Sequence, residues 1–495
     1  VEVTGKMRLP AATTDRDKIE FLLWSRMENV SAQLLEPKAS APSQELSSNG
    51  AEGDRKWAVK SGRPIPAGEE VLLQFSYTSD GGGPAPQFKI SPEVSYAGGG
   101  GELWYPQVAF RNRDIGSLRF LVPVGETVIS NGTLKSTPEQ KAKGEFIFSV
   151  TEPVKFGFAG GRYAVHKGSG GAPYSLYLLR QRGAEQIKTI LNGCARAQKF
   201  LTGLFGAFPH KEFTFVEVDF SPSMVTGLGE FGFILADDSK VDNFDLSYWA
   251  HEFGHQWWGN LVTPAADTTG QMMLTEGVAQ FGALRAVEAV EGPGAAEQFR
   301  RTGYQGRGHS AAAYFRLIQS GTDFPLTTHL PKNQSETVKM HSLANTKGFI
   351  LLDMLSRRIG RERFAAILRR FLREKAGRAT SWQEFRRALE AGAGQDVRWF
   401  FEQWFERAGA PDYRLTWKQS GRRVRGTITQ PAPHFRAALE VEVRGSRRSL
   451  TKTVEVVGGR TEFNWAVPFE VSSVTLDPHY KVLRWLPEFR TQTPR

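Results

Sequence analysis

A single cysteine, Cys194, stands among 495 residues, so no disulfide can form within the chain and stability has to come from burial. Long apolar runs are missing too. Nothing approaches the ~18 consecutive apolar residues of a membrane-spanning helix, and the most apolar helix candidate, Phe349 to Leu355, is interrupted by Asp353. There is no internal repeat of fixed period and no low-complexity tract. No charged leader followed by an apolar segment opens the sequence at Val1, so a signal peptide is expected to be absent or already removed, and periplasmic, extracellular and cytoplasmic locations stay open.

What is present is ample for burial: 40% hydrophobic residues against 23% charged, with 34 Phe and 12 Trp, a balance that excludes bulk disorder. The length exceeds what one core serves, and a prior of ~150 residues per domain suggests about three. The formal net charge of +11 raises the question of nucleic acid. The excess is scattered, however, and the arginine-rich stretches Arg422 to Arg425 and Arg444 to Arg448 lack interleaved aromatic residues. They read as solvated faces, and no nucleic-acid partner is expected. Cys194 falls in a helical pattern between Leu191 and Phe200 and reads as a small buried apolar side chain.

Residues 1–179 alternate with a period of two, as in Glu70-Val-Leu-Leu-Gln-Phe-Ser-Tyr77 and Leu118 to Pro123, with glycine-rich turns at Gly81 to Gly83 and Gly98 to Gly101. An all-β domain follows. From about Arg180 the period moves toward 3.6, through Ile187, Ile190, Leu191, Ala195 and Phe200. Strand-like Phe213 to Phe220 and Phe231 to Leu235 come next. Helices then run to about Ala408, including Ile350 to Arg358 and Phe364 to Leu372, so residues 180–408 read as an α+β domain. Beyond Gly409-Ala-Pro411, short strands return at Val424 to Ile428, Ala438 to Val443 and Val454 to Val457, and a β-sandwich is expected over 409–495.

The chemistry concentrates at His251-Glu-Phe-Gly-His255. Leu246, Trp249, Ala250, Phe253 and Trp257 give helical spacing, Asp245 or Ser247 can cap the start, and Gly259-Asn260 supplies a stop. On a helix, residues four apart share a face, so both imidazoles can reach one ion. Glu252 lies about 100° around the axis. There it misses the metal but can act as general base toward a water that the metal activates, then return the proton to the leaving amine. Tetrahedral zinc then needs one more protein ligand besides an open position. Glu276 is the best candidate, at the expected start of a second helix with Thr275 near its cap, Val278, Phe281, Leu284 and Val287 on its apolar face, and Glu291-Gly-Pro-Gly294 ending it.

These residues resemble the gluzincin aminopeptidases, the family of membrane alanyl aminopeptidase and leukotriene hydrolase. Its zinc motif commonly continues as in His255-Gln-Trp-Trp-Gly-Asn-Leu-Val-Thr263 and ends as in Thr275-Glu-Gly277. Leu103-Trp-Tyr-Pro106, Val122-Pro-Val-Gly125 and Ser130-Asn-Gly132 resemble its N-terminal saddle, and Phe400-Phe-Glu-Gln-Trp404 with Gly409-Ala-Pro411 the end of its catalytic domain. The resemblance implies a multidomain α+β chain: a β saddle, a thermolysin-like domain and a C-terminal β-sandwich. It also implies one zinc ion on His251, His255 and Glu276, and cleavage of the N-terminal bond of peptides with a free N-terminus. It assigns no oligomeric state.

Three departures qualify it. Residues 256–275 make the spacing to Glu276 20, where 18 is common, with the extra length in the turn-rich stretch Pro264 to Gln271. The amine-recognition motif G-x-M-E-N becomes Gly227-Leu-Gly-Glu-Phe231; Glu230 keeps the acid that binds the α-amine, and Gly227, Leu228 and Gly229 are the expected substrate-binding neighbours. The same stretch spells G-x-G-x-x-G, but the strand-like residues after it and the internal Glu230 reject a dinucleotide fingerprint. Finally, Asn345 stands two residues before Lys347-Gly348, where the family carries its transition-state tyrosine. The donor role is left unassigned, with His341, Tyr304 and Tyr314 as the residues that could take it. Two rival readings follow: a zinc hydrolase of other substrates, and a catalytically impaired zinc protein that binds peptides or a partner. Retention of Glu252 argues against the second, since a purely structural zinc needs no base.

Overall fold

The computed structural model describes residues 1–24, 26–38, 45–49, 54–81, 88–99, 103–108, 113–221 and 226–486. The chain is a multidomain α+β protein in which a β-rich N-terminal region, a mixed and then helical middle, and C-terminal strands follow one another. Most of the two glycine-rich turns expected at 81–83 and 98–101 lies outside the described residues. Among those residues no helix is long and apolar enough to cross a membrane. The chain divides into two compact units, Val1–Ile190 with His210–Phe244, and Leu191–Pro209 with Asp245–Arg495.

Apart from its last sheet, the first unit is built from antiparallel sheets, and their strands follow the period of two. Ile19, Phe21 and Leu23 alternate inward along Arg16–Trp24, and Val71, Leu73 and Tyr77 do so along Val71–Thr78. Phe21, Leu23, Leu73 and Tyr77 join Trp104, Tyr105, Phe156 and Phe158 in one core, while Ile19 and Val71 pack in a second cluster with Leu9, Leu34 and Ile65. A five-stranded sheet ends this unit. Its strands run in the order Ala164–Ser169, Pro173–Leu178, Phe213–Val218, Phe233–Asp237, Gly227–Glu230, so the hairpin that carries Glu230 forms the sheet's edge. The two middle pairings are parallel, and both outer ones are antiparallel.

In the helices, periodicity of 3.6 takes over. Along helix Ala184–Phe205 the buried stripe passes through Ile190, Cys194, Ala197, Leu201 and Leu204. It is therefore offset from the face expected through Leu191, Ala195 and Phe200, which are only half-buried. Cys194 and Ala197 are fully buried but small, and carry little weight in a search for large apolar residues. After Leu246 the helices are packed by tryptophan and phenylalanine: Trp257 and Trp258 lie against Phe205, and Trp258 also meets Phe371 and Phe385. Two three-stranded antiparallel sheets close the chain, one from Arg414–Ser420, Arg423–Thr429 and Arg460–Ala466, the other from Ser449–Val456, Ala437–Arg444 and Ser473–Leu476. Leu439, Val441 and Val443 alternate inward in the second of them.

A buried lysine ties the helices to the segment that leads into these strands. Lys347 has no exposed surface, and its Nζ donates to the carbonyls of Arg407 and Gly409, each at 3.1 Å. Burial pulls its pKa down to about 8 against the attraction of Asp323. Lys347→Met fills the same space but leaves both carbonyls unpaired, at about 1–3 kcal/mol for each buried group. Denaturant titration should show a correspondingly lower midpoint, and an unchanged midpoint would mean that water replaces the ammonium.

Candidate metal centre

Helix Leu246–Gly254 carries His251 and is followed by His255 as its C-cap, and its start is fixed by Asp245, whose side chain accepts from the Tyr248 amide at 3.0 Å. Trp249, Ala250 and Phe253 anchor the helix on its buried side. His251 and His255, one turn apart, therefore present their rings to one another with Nε2 atoms 3.0 Å apart.

Glu276 arrives differently from the expectation. It does not open a helix beside a Thr275 cap: it lies in a π-helical turn, Met273–Gly277, that runs without interruption into helix Val278–Glu291. The Thr275 hydroxyl donates back to the Gln271 carbonyl instead of capping. A second π turn, Ala344–Gly348, packs against this one. Glycine makes the approach possible, since a Cβ on Gly277 would sit 2.6 Å from Met273 Cε and one on Gly348 2.5 Å from Met273 Sδ. Wide π turns of this kind recur at functional sites, where they re-aim a side chain. Here they set Glu276 beside Asn345.

Glu276 Oε2 is 3.4 Å from His251 Nε2, and Oε1 is 3.7 Å from His255 Nε2. Among the described residues, His251, His255 and Glu276 form the one group of three or more His, Cys, Asp or Glu whose ligand atoms all lie within 4.8 Å of one another. The donor set suits zinc. Ligands about 2.0 Å from a tetrahedral ion stand about 3.3 Å from each other, close to the separations found. His255 Nδ1 donates to the Trp258 carbonyl at 3.1 Å, which leaves the Nε2 lone pair free to face the cluster, as a ligand requires.

Electrostatics agree with a cation site. Burial penalises the Glu276 charge, but the surrounding imidazoles His341, His255 and His251 outweigh it and hold the carboxyl well below its usual range. Burial drives His255 the other way, to about 4, so the ring is neutral near pH 7. Glu252 is buried and stands outside the three converging donors, yet its charge reaches both His251 and His341.

Two further side chains meet this cluster. Asn345 Nδ2 donates to Glu276 Oε2 at 3.0 Å, and His341 Nε2 lies 3.3 Å from the same oxygen. The brace by Asn345 is a contact that sequence reasoning missed, since 68 residues separate it from Glu276 and nothing local signals the pairing. Tyr304 and Tyr314 are engaged elsewhere: their hydroxyls donate to Glu291 at 2.7 Å and Asp323 at 2.9 Å.

Glu230 belongs to the first unit. Its Oε1 accepts from the Gly99 amide at 2.9 Å, and burial raises its pKa to about 6, against that hydrogen bond and the charge of Lys155. A side chain at Gly157 would crowd this carboxylate, with Cβ 3.2 Å from Cδ. Asn131 ties the region together, accepting from the Gly157 amide at 2.6 Å and donating to the Phe231 carbonyl at 3.0 Å. Gly227, Leu228 and Gly229, all half-buried, form the edge strand with it.

Comparison with known proteins fits this geometry. Residues 236–404 match the peptidase family M1 domain. Aminopeptidase N of Lactococcus lactis is 27% identical over 165 residues, 33% of this chain and 18% of that protein. Aminopeptidase N of Haemophilus influenzae is 24% identical over 211 residues, 41% of this chain and 23% of that one. The matched stretches thus span about a fifth of these relatives' length. In fold, the chain is similar to aminopeptidase A of Legionella pneumophila, solved with aspartic acid, with a TM-score of 0.71 at 16% identity over 98% of this chain and 57% of that one. It is also similar to an M1 zinc metallopeptidase of Deinococcus radiodurans, with a TM-score of 0.59 at 18% identity over 82% and 90% of the two chains.

Proposed function

From the match of residues 236–404 to the peptidase family M1 domain and the chain's similarity to aminopeptidases, we propose that it is a gluzincin zinc aminopeptidase acting on peptides with a free N-terminus. The observation that carries the proposal is the convergence of His251, His255 and Glu276 with a buried carboxylate, Glu252, beside them but outside the set. A zinc ion held by the three would supply the Lewis acid that polarises the scissile carbonyl and lowers the pKa of water.

The chain's own residues then do the rest. Glu252 takes a proton as the water oxygen bonds to the carbonyl carbon, and returns it to the nitrogen when the C–N bond breaks. Trp258, through its carbonyl, keeps His255 in the tautomer that leaves Nε2 unprotonated, and Asn345 orients Glu276. Glu230 pairs with the substrate's α-ammonium, while the edge strand Gly227–Glu230 offers main-chain groups to an extended peptide.

The test is hydrolysis by zinc-loaded protein of aminoacyl reporter substrates, each with a free and an acetylated N-terminus. Turnover confined to the free set supports the proposal. Turnover of both sets points to a zinc hydrolase of other substrates, and silence with zinc bound points to a peptide-binding protein. Glu230 adds a pH signature. Only its ionised form attracts an ammonium, and its pKa is about 6, so kcat/KM for free-amine substrates should fall as pH drops through about 6. Glu230→Gln should erase the preference for the free amine; a variant that still discriminates would remove Glu230 from the amine site.

A further inference from the structure

Three imidazoles surround Glu276, and they are not equivalent. The side chains of His251 and His255 are 13% and 14% exposed, whereas His341 is 49% exposed. His341 touches the cluster through one contact, its Nε2 at 3.3 Å from Glu276 Oε2, yet it is not among the residues whose ligand atoms all lie within 4.8 Å of one another. It thus stands beside the donor set with half of its ring open to solvent. It occupies the last turn of helix Gln334–Leu343, which continues directly into the π turn Ala344–Gly348, so one helical turn fixes it relative to Asn345.

Two uses for such a ring are answered by its surroundings. As a fourth ligand it would have to join the converging atoms, and it lies outside them. As a brace for Glu276 it would duplicate Asn345, a buried amide that already donates to the same oxygen at the shorter distance of 3.0 Å. What remains is an N–H donor on a half-exposed ring beside the centre, within reach of a ligand that comes from solvent.

Resting on the reading of the metal centre given above, we propose that His341 donates a hydrogen bond from Nε2 to the scissile carbonyl oxygen as negative charge develops on it. The water oxygen bonds to the carbonyl carbon, the π pair moves onto the carbonyl oxygen, and the water proton passes to Glu252. His341 keeps its own proton throughout. When the pair returns, the C–N bond breaks and the amine leaves with the proton from Glu252.

A donor used only in the transition state affects kcat rather than KM, and losing one such donor lowers the rate about 10²- to 10³-fold. The full zinc-loaded chain would be compared with His341→Phe, which keeps the ring's bulk, and His341→Gln, which keeps an N–H at similar reach. Expected are a kcat lower by that factor in the Phe variant with KM little changed, partial recovery in the Gln variant, and one zinc per chain in all three by elemental analysis. Calorimetry supplies a readout independent of turnover: a phosphonate peptide mimic, which carries a tetrahedral oxyanion, should bind the Phe variant at least ten-fold more weakly, while a free amino acid binds all three alike. Equal phosphonate affinity, or none, in wild type and the Phe variant overturns the proposal. So does loss of zinc from that variant, which would make His341 a ligand. A wild type that hydrolyses nothing sinks the aminopeptidase reading by itself, and the phosphonate comparison still decides the role of His341.

Discussion

Glu252→Gln is expected to lower kcat about 10³- to 10⁴-fold, the upper part of the range for general acid–base catalysis, while zinc content and melting temperature stay close to wild type. The large effect follows from a double role, since the same carboxylate accepts the proton of the attacking water and delivers it to the leaving nitrogen. The small structural effect follows from position. Glu252 is 6% exposed and adjacent in sequence to His251 but outside the converging set, so the isosteric amide keeps the packing of helix Leu246–Gly254 and removes no ligand. Its negative charge works with that of Glu276 to hold the His251 pKa up against burial. An amide therefore also leaves the centre less negative, and zinc affinity should if anything fall slightly. Steady-state kinetics beside elemental analysis would check this. A variant that holds its zinc and turns over within ten-fold of wild type would exclude Glu252 as the base.

How far the sequence reached depended on whether a feature is local. The His251 and His255 pairing is a matter of helical pitch, and Asp245 caps the helix as the sequence suggested. The strands at Val71–Thr78 and Ala437–Arg444 declare themselves by alternation, but alternation says nothing about partners. Pairing of Pro173–Leu178 with Phe213–Val218, across a 22-residue helix, is not legible in either segment. Glu276 could be nominated from the need for a third zinc ligand near an expected helix start, but the turn that carries it could not be read. The π turn that delivers it depends on contact with a second π turn near residue 345, and that contact is tertiary. The surroundings of Glu230 are also assembled from distant places, with Gly99, Asn131, Lys155 and Gly157 each contributing a hydrogen bond, a tether, a charge or room. From the sequence His341 is one of three residues that could take the donor role, and what singles it out, partial exposure beside the Glu276 carboxylate, is tertiary.

Asp353→Ala should destabilise the second unit by about 3–5 kcal/mol, the usual consequence of removing one partner from a buried ion pair. Asp353 has no exposed side-chain surface, and it collects cations: Arg357 one turn on, Arg300 with Nη1 at 3.5 Å and Arg361 with Nη2 at 3.8 Å. Arg300 is itself only 4% exposed, and it donates onward to the carbonyls of Tyr480 at 3.1 Å and His479 at 3.2 Å. Arg357 likewise donates to the Lys481 carbonyl. One carboxylate thus holds two guanidinium groups that clasp the segment after the last strand, and alanine would leave Arg300 buried without its counter-charge. Asp353→Asn keeps the shape and should lose most of the same stability, which separates charge from packing. The pH dependence has a definite sign. Burial alone would raise the Asp353 pKa, but Arg357, Arg300 and Arg361 outweigh it and lower it beneath 3.8. Its contribution is therefore complete above that pH and is lost as pH falls through the depressed value. Thermal melts should show both variants lower by on the order of 10 °C at neutral pH, with the gap to wild type closing in acid. Wild-type melting in either variant would mean that the arginines find other anions, and that the clasp on residues 479–481 does not depend on Asp353.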